Sequence, residues 1–523
     1  MIRKLRLLDV FIQSERGLQV VGVVGAVLLV AAVASVGANK TQSTALTGAP
    51  GSDAQTTTVT DAPTGNVGET ATPSPGPSQS RITLQAADAA DAEIPPALRG
   101  VDFGLRTQGV TDKEVKVGFS GNFDNCGDTA GLVQQFGPLI GDPEKSLDTF
   151  ARYVNDNGGV GGRRYKVIMV QDGGSGCPER NLPAAVKMAD EEKVFLAVPG
   201  LHVESDYIID RKVPVWGGRD DPASLAKYGP NGFALFEPIE PTLQAWASFG
   251  KHYLKTDNGP NVACLIRIET GASGNWDIPE KILNEKLAGH GLKFRRVFVF
   301  KDDASTAQEQ SNAIAIKARD SGCQQAWFMA GNPIGLVFIT DAATQNRWFP
   351  KKWTWTSYTA LTDDDRISKA MDQVQWENAV GLTYRIPAGE HPKTDNCKNI
   401  YERYNGNDGL SESASVLLAC SSILSTSEIM NRGLRLTGKL DSNAFVLGAN
   451  AIRNNFFWDA HVPMEYQIPD TNGPFKTRAF THWTVADWSS AESRYTFPEY
   501  PCYYRDFGPN NAGCEDLRST YKK

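Results

Sequence analysis

Between Phe11 and Phe103 the sequence has no aromatic residue, and none of its eight cysteines precedes Cys126. A stretch so short of core-forming side chains buries too little surface to offset the entropy of ordering, which excludes a folded domain there. Other absences narrow the chemistry. The chain has no GxSxG elbow, no HExxH, no CxxC and no GxGxxG, so the common nucleophile, zinc, dithiol and dinucleotide signatures are missing and no cofactor is expected. His202, His252, His290, His391, His461 and His482 stand far apart, without metal-ligand spacing. There is no long Lys/Arg run, and 60 Asp+Glu against 53 Lys+Arg give a net charge of −7. That balance argues against a nucleic-acid partner, which needs a basic face to neutralise phosphates. Gly433-Leu434-Arg435-Leu436-Thr437-Gly438-Lys439 approaches a phosphate loop, but Leu440 occupies the place of the metal-binding hydroxyl and a helix precedes it.

What is present first is an address. Residues 1–17 carry Arg3, Lys4, Arg6 and Arg16 against Asp9 and Glu15, and an apolar run follows over 18–38. As a helix it would extend about 30 Å, enough to cross the hydrocarbon core. Two fates stay open: an uncleaved transmembrane anchor, favoured by length, or a signal peptide cleaved at the small residues Ala32 and Ala34 or Gly37 and Ala38. Either leaves the basic end cytoplasmic and exports everything after Asn39. No cysteine ends the run to carry a lipid. From 41 to 80, 25 of 40 residues are Ser, Thr, Pro or Gly, which predicts a disordered linker over 39–95 with a root-mean-square span of about 40 Å. It reads as a tether or as a spacer without a selected length.

From about residue 96 short apolar runs alternate with amphipathic segments. Residues 115–119, 165–170, 194–198 and 213–216 read as strands. Leu147, Phe150, Ala151 and Val154 repeat at helical spacing behind Asp142-Pro143, a cap and first-turn proline, and Leu182, Ala185, Val186 and Ala189 repeat it again. After Pro238 and Pro241 a second set begins, with strands at 262–266, 297–300, 326–329 and 353–356 and helices near 242–255, 277–289 and 306–320. A return through 379–384, a long helix near 413–431, and strands near 464–467 and 480–485 complete it. Such alternation predicts an α/β protein with two Rossmann-like lobes, each built on a parallel sheet covered on both faces.

The order Gly109-Val110-Thr111-Asp112, a strand ending in Gly118-Phe119-Ser120-Gly121, then Tyr153-Val154-Asn155-Asp156-Asn157-Gly158-Gly159-Val160-Gly161-Gly162-Arg163 and a strand ending at Asp172 resembles the start of type I periplasmic binding proteins. The pattern is most similar to the branched-chain amino-acid receptors of ABC transporters, over roughly 109–490. The resemblance implies two lobes joined by three crossings with the ligand between them. It divides the chain into 96–237 plus about 362–455 for lobe 1, 238–361 plus about 456–495 for lobe 2, and a tail at 496–523, with the first crossing at Pro238 and Pro241.

In open parallel sheets ligands lie beyond the carboxyl ends of the strands. That rule selects the loops holding Asn122 and Asp124, Ser205, and Gly217 to Arg219 in the first lobe, and those holding Trp276, Asn332 and Tyr358 in the second. In the amino-acid receptors a hydroxyl and backbone N–H groups hold the ligand carboxylate, and an acidic side chain takes the ammonium. Ser205 matches the hydroxyl, and Gly217 and Gly218 match the donor pair, but Arg219 stands where a second hydroxyl is expected. Tyr358 follows the strand where the relatives present an acid. An amino-acid ammonium then lacks a partner worth about 1.5–3 kcal/mol unless Asp124, Asp128, Glu204 or Asp221 supplies it. Arg219 suits an anionic or carbonyl group, while Trp276 and Tyr358 suit a flat or apolar one.

In an exported domain the cysteines read as disulfides. Chain order favours Cys126 with Cys177, Cys264 with Cys323, Cys397 with Cys420, and Cys502 with Cys514, against the alternative of fewer bridges and buried thiols. The function expected is an extracytoplasmic receptor for a small polar ligand that presents its closed form to the membrane permease of an ABC transporter, without catalysis. The alternative is a membrane-tethered sensor or cell-surface interaction module on the same lobes.

Overall fold

Val115, Val117 and Phe119 lie on one side of a strand whose Gly118 faces the other, and this period of two organises the first lobe. In the computed structural model this strand is β1, Glu114–Gly121. The structure describes residues 98, 100–121, 141–173, 177–199, 205–217, 232–233, 246, 249–250, 262–269, 294–301, 306–329, 334–356, 365–377, 379–383, 395–451, 464–467, 478–481, 483–496, 502–504 and 515–516. The chain divides into the units Met1–Gln79 and Ser80–Lys523, and every described residue belongs to the second. The expected export segment 18–38 and linker 39–95 lie outside these residues. Among the described residues no helix is long and apolar enough to cross a membrane.

After β1, the chain forms α1 (Pro143–Asp156), capped by Asp142, whose carboxylate accepts from the Lys145 N–H. β2 (Arg164–Gln171) and α2 (Asn181–Val186) follow, and α2 continues as a π turn over Lys187–Glu191. Then come β3 (Leu196–Val198), α3 (Ser205–Asp210), β4 (Val215–Trp216) and β5 (Gly232–Phe233). The five strands form one parallel sheet ordered β2-β1-β3-β4-β5. One face packs Val115, Val117, Phe119, Leu196 and Trp216 against α1 and later helices; the other packs Val170, Ala197 and Val215 against α2 and α3.

The glycine-rich turn between α1 and β2 is structural. Asn155 clasps Tyr165 by both backbone groups, at 3.1 Å and 2.7 Å. Gly159 has φ +65, and a Cβ there would lie 2.1 Å from the Arg163 carbonyl oxygen. It joins the amino end of β2, the edge of the sheet opposite the expected ligand loops.

The second lobe contains β6 (Ala263–Glu269), β7 (Arg296–Lys301), α4 (Ala307–Asp320), β8 (Gln325–Met329), α5 (Ile334–Gln345) and β9 (Lys352–Thr356). Two short helices, α6 (Asp365–Lys369) and α7 (Gln373–Trp376), lead to β10 (Val380–Thr383). β10 pairs in parallel with β9, and Met371, Trp376 and Ala379 are buried in the same core. The lobe boundary expected near 362 is therefore corrected: the chain leaves this sheet only after Thr383, because 365–383 supplies its next strand.

The chain returns to the first core as α8 (Asn396–Asn405), α9 (Ala414–Thr437) and α10 (Ser442–Asn450). α9 and α10 cross closely at glycines: a Cβ on Gly448 would sit 2.2 Å from the Ile429 carbonyl oxygen and 2.7 Å from the Gly433 nitrogen. The phosphate-loop-like segment is the last turn of α9, closed by left-handed Gly438. It offers no strand-to-helix cradle.

The end of the chain rejoins the second lobe. β11 (Met464–Gln467) and β12 (Arg478–Thr481) form a separate antiparallel pair, so the strand expected at 480–485 is two strands in two sheets. β13 (Trp483–Ser489) runs antiparallel to β10, and β14 (Arg494–Thr496), β15 (Cys502–Tyr504) and β16 (Glu515–Asp516) extend the sheet. The segment read as a tail at 496–523 thus contributes two of its strands. Disulfides join Cys264 to Cys323, linking β6 to the start of β8, and Cys397 to Cys420, linking α8 to α9. Cys177 is also disulfide-bonded.

Candidate functional site

Because all five strands of the first sheet are parallel, their carboxyl ends share one edge, with neighbours about 4.8 Å apart. β1, β3 and β4 are successive in that sheet, so the loops that carry Asn122 and Asp124, Ser205, and Gly217 to Arg219 leave from adjacent positions. In the second sheet β6, β8 and β9 are likewise successive and parallel, and the loops bearing Trp276, Asn332 and Tyr358 follow them. Of these residues Asn122, Asp124, Gly218, Arg219, Trp276, Asn332 and Tyr358 lie outside the described residues, as do His202, Cys126 and Cys514.

Ser205 is the first residue of α3 and is 1% exposed. Three side chains fasten that helix. The Tyr207 hydroxyl donates to Asp190 Oδ2 at 2.6 Å, Arg211 Nε donates to the same oxygen at 3.1 Å, and an Arg211 terminal nitrogen donates to the Tyr207 oxygen at 2.6 Å. The hydrogen bond from Tyr207, assisted by Arg211, holds the Asp190 carboxyl below the usual carboxylate range.

Gly217 requires a correction. Its φ is +88, and its N–H already donates to the Phe233 carbonyl at 2.7 Å, so it has no donor left for a ligand. The cause is β5, a two-residue strand with no clear periodic signal, which extends the sheet beside β4. Beneath this turn Trp216 stacks on Phe233 at 6.0 Å, and Phe445 meets both rings edge-on. The turn therefore sits on a stiff aromatic floor.

Asp172 was not singled out as a site residue from the sequence. It follows β2 directly, is 2% exposed, and its N–H donates to the Gly121 carbonyl at 3.0 Å, which sets it beside the end of β1. The next turn is tied down by Asn181, whose side-chain oxygen accepts from the Gly173 N–H at 3.1 Å, and by the bond from the Cys177 N–H to the Gly173 carbonyl at 2.9 Å. An acid placed immediately after a strand was the available signal. It supplies a buried carboxyl group at the edge where the sequence offers only loop acids.

Trp348, Trp353, Trp355, Trp376 and Trp488 of the second lobe are core. Trp353 and Trp355 are 1% and 0% exposed, and Trp353 donates to Gln375 at 3.1 Å. Among the described residues no group of His, Cys, Asp and Glu is arranged to hold a metal ion.

Comparison with solved structures places this arrangement. A branched-chain amino-acid ABC transporter protein of Thermus thermophilus with bound valine is 12% identical with a TM-score of 0.59, covering 77% of this chain and 100% of its own. A fatty-acid ABC transporter substrate-binding protein of Thermomonospora curvata is 13% identical with a TM-score of 0.56, covering 78% and 97%. A solute-binding protein of Rhodopseudomonas palustris in complex with 3,4-dihydroxybenzoic acid is 11% identical with a TM-score of 0.54, covering 78% and 99%. No protein-family model matches the sequence, and no curated protein matches it. The chain has the type I periplasmic binding fold.

Proposed function

We propose that this protein is an extracytoplasmic small-solute receptor and the substrate-binding component of an ABC-type transporter. The observation that carries the reading is topological: two sheets, each with three adjacent parallel strands whose carboxyl ends precede the candidate polar and aromatic loops. Ser205 would offer its hydroxyl to a ligand carboxylate, Arg219 a charged partner, and Asp172 or a loop acid a site for an ammonium. Trp276 and Tyr358 would cover the rest of the ligand from the second lobe. Binding between the lobes would favour the closed form, and a permease that recognises only that form would read occupancy. The basic and apolar N-terminal segment would export the domain and either anchor it or be removed.

The structural neighbours were solved with ligands or roles of three kinds, an amino acid, a fatty acid and an aromatic acid. All three share a carboxylate beside a variable body. The test is a thermal-shift series on the purified full-length chain with L-valine, L-leucine, 3,4-dihydroxybenzoate and octanoate. A ligand at about 100 times its Kd adds about 2.7 kcal/mol to native stability. At least one carboxylate should raise the unfolding midpoint; no shift with any of the four would count against the reading.

A further inference from the structure

We infer that Asp190, Tyr207 and Arg211 form a positioning cluster that holds α3 and thereby fixes the Ser205 hydroxyl for the ligand. The inference rests on the receptor reading given above. α3 has six residues, a length that cannot sustain a helix by itself. Its apolar anchors are Ile208 and Ile209, both buried under the first sheet. Those two residues and Ser205 bury one side of the helix, and its partly exposed side is held by further contacts.

The polar cluster supplies them. Tyr207 and Arg211 both reach Asp190, bond to each other, and stack with the guanidinium 3.5 Å from the ring centroid. Three mutual hydrogen bonds and a stacked cation fix a geometry that a single surface ion pair would not. Asp190 in turn stands on the π turn Lys187–Glu191, an irregularity that re-aims the helix. That turn is clamped by Gln108, whose amide donates to the carbonyls of Ala189 and Val194 at 3.0 Å and 3.1 Å. Met188 of the same turn is fully buried against β1 at Gly118. A continuous set of contacts therefore runs from the sheet through Asp190 to Tyr207, two residues from Ser205. The Arg211 and Asp190 side chains are each 36% exposed and only the Tyr207 ring packs against the core, so removing the Tyr207 hydroxyl alone separates positioning from folding in an experiment.

The test is amide hydrogen exchange on full-length wild type, Tyr207→Phe, which keeps the ring and removes only the hydroxyl, and Asp190→Ala. Exchange across 205–208 should accelerate about tenfold in both variants, in line with the loss of a charge-assisted hydrogen bond. Exchange across 115–119 should stay unchanged, and affinity for L-valine or 3,4-dihydroxybenzoate, whichever binds wild type, should weaken by a similar factor. Asp190→Glu, which restores an acceptor, should recover part of the loss. Unchanged exchange at 205–208, or equal acceleration in β1, would overturn the positioning role while leaving the receptor reading intact. Failure of every ligand to bind wild type would instead remove the receptor reading, and with it the function assigned to Ser205.

Discussion

The two lobes share the order of five parallel strands, β2-β1-β3-β4-β5 and β7-β6-β8-β9-β10, but differ in the helix contacts and the rings that fill their cores. The first closes on aliphatic side chains together with Phe and Tyr rings, and Trp216 is its one tryptophan among the described residues. Its longest helix, α9, buries Ser421, Ser422, Ser425, Thr426 and Ser427, and the last three return hydroxyl bonds to carbonyls of their own helix. Small side chains let helices approach until backbones touch, as at Gly448. The second lobe buries Trp348, Trp353, Trp355, Trp376 and Trp488 in a single cluster, and Gly381 makes room for the Trp355 ring, which would lie 2.1 Å from a Cβ. The difference teaches where each lobe is vulnerable. Added atoms should injure the first at its helix crossing, and deleted rings the second at its tryptophan cluster.

The largest effect expected is from Trp353→Ala. It deletes a ring 5.3 Å from Trp348 and 6.3 Å from Trp376 and strands the Gln375 carbonyl oxygen. Denaturant unfolding should show a loss of about 3–5 kcal/mol; a loss below 1 kcal/mol would mean that the cluster closes over the gap. The disulfides come next. Cys264 and Cys323 are 59 residues apart and Cys397 and Cys420 are 23 apart, so paired Cys→Ser changes should cost about 4 kcal/mol in the second lobe and about 3 kcal/mol in the first. Gly448→Ala should cost about 1–3 kcal/mol in the same assay, since backbone atoms cannot yield. A neutral result would end the claim that the first lobe is limited by close helix contact.

A smaller effect distinguishes the lobes by pH. Burial pushes the carboxyls of Asp341 and Asp487 up to about 6; the neighbouring Asp372 charge adds to the first, and Lys352 opposes the second. Their folded-state pKa values exceed the ordinary 3.8, so their contribution is complete below that value and is lost as pH rises through about 6. Asp190 has the opposite sign: its carboxyl is held low, so its contribution is present at neutral pH and is lost as the medium becomes more acid than pH 3.8. Hydrogen exchange at pH 5 and pH 7.5 should find the second lobe loosened at the higher pH and the first unchanged. Asp487→Asn should reduce that dependence. The smallest effect belongs to the exposed Lys398 and Glu412 pair, 2.6 Å apart, whose loss should change stability by less than about 1 kcal/mol.

Much of this was legible in the sequence, for definite reasons. Buried parallel strands write themselves as continuous apolar runs, so 115–119, 165–170 and 326–329 fall inside β1, β2 and β8. Asp142-Pro143 marks the start of α1 because a capping carboxylate and a fixed φ have few other uses together. Elements whose residues carry no period were missed. α3 begins in Ser205-Asp206 and has only two buried apolar residues, Ile208 and Ile209, β5 is two residues long, and β15 and β16 are recruited by an existing edge. The boundary near 362 falls too early because 365–383 holds short helices without a period, fastened by contacts such as Trp376 with Trp353 and the Trp488 indole N–H to Gln373. Gly217 could not be assessed without knowing that Phe233 lies beside it. The loop residues proposed to meet the ligand follow from strand order alone.

Calorimetric titration of wild type and Ser205→Ala with L-valine, L-leucine, 3,4-dihydroxybenzoate and octanoate tests the central claim most directly. Saturable binding of at least one carboxylate to wild type, weakened about tenfold or more by loss of the hydroxyl, is the predicted result. Equal affinity in the two proteins, or no binding heat from any of the four, would contradict it.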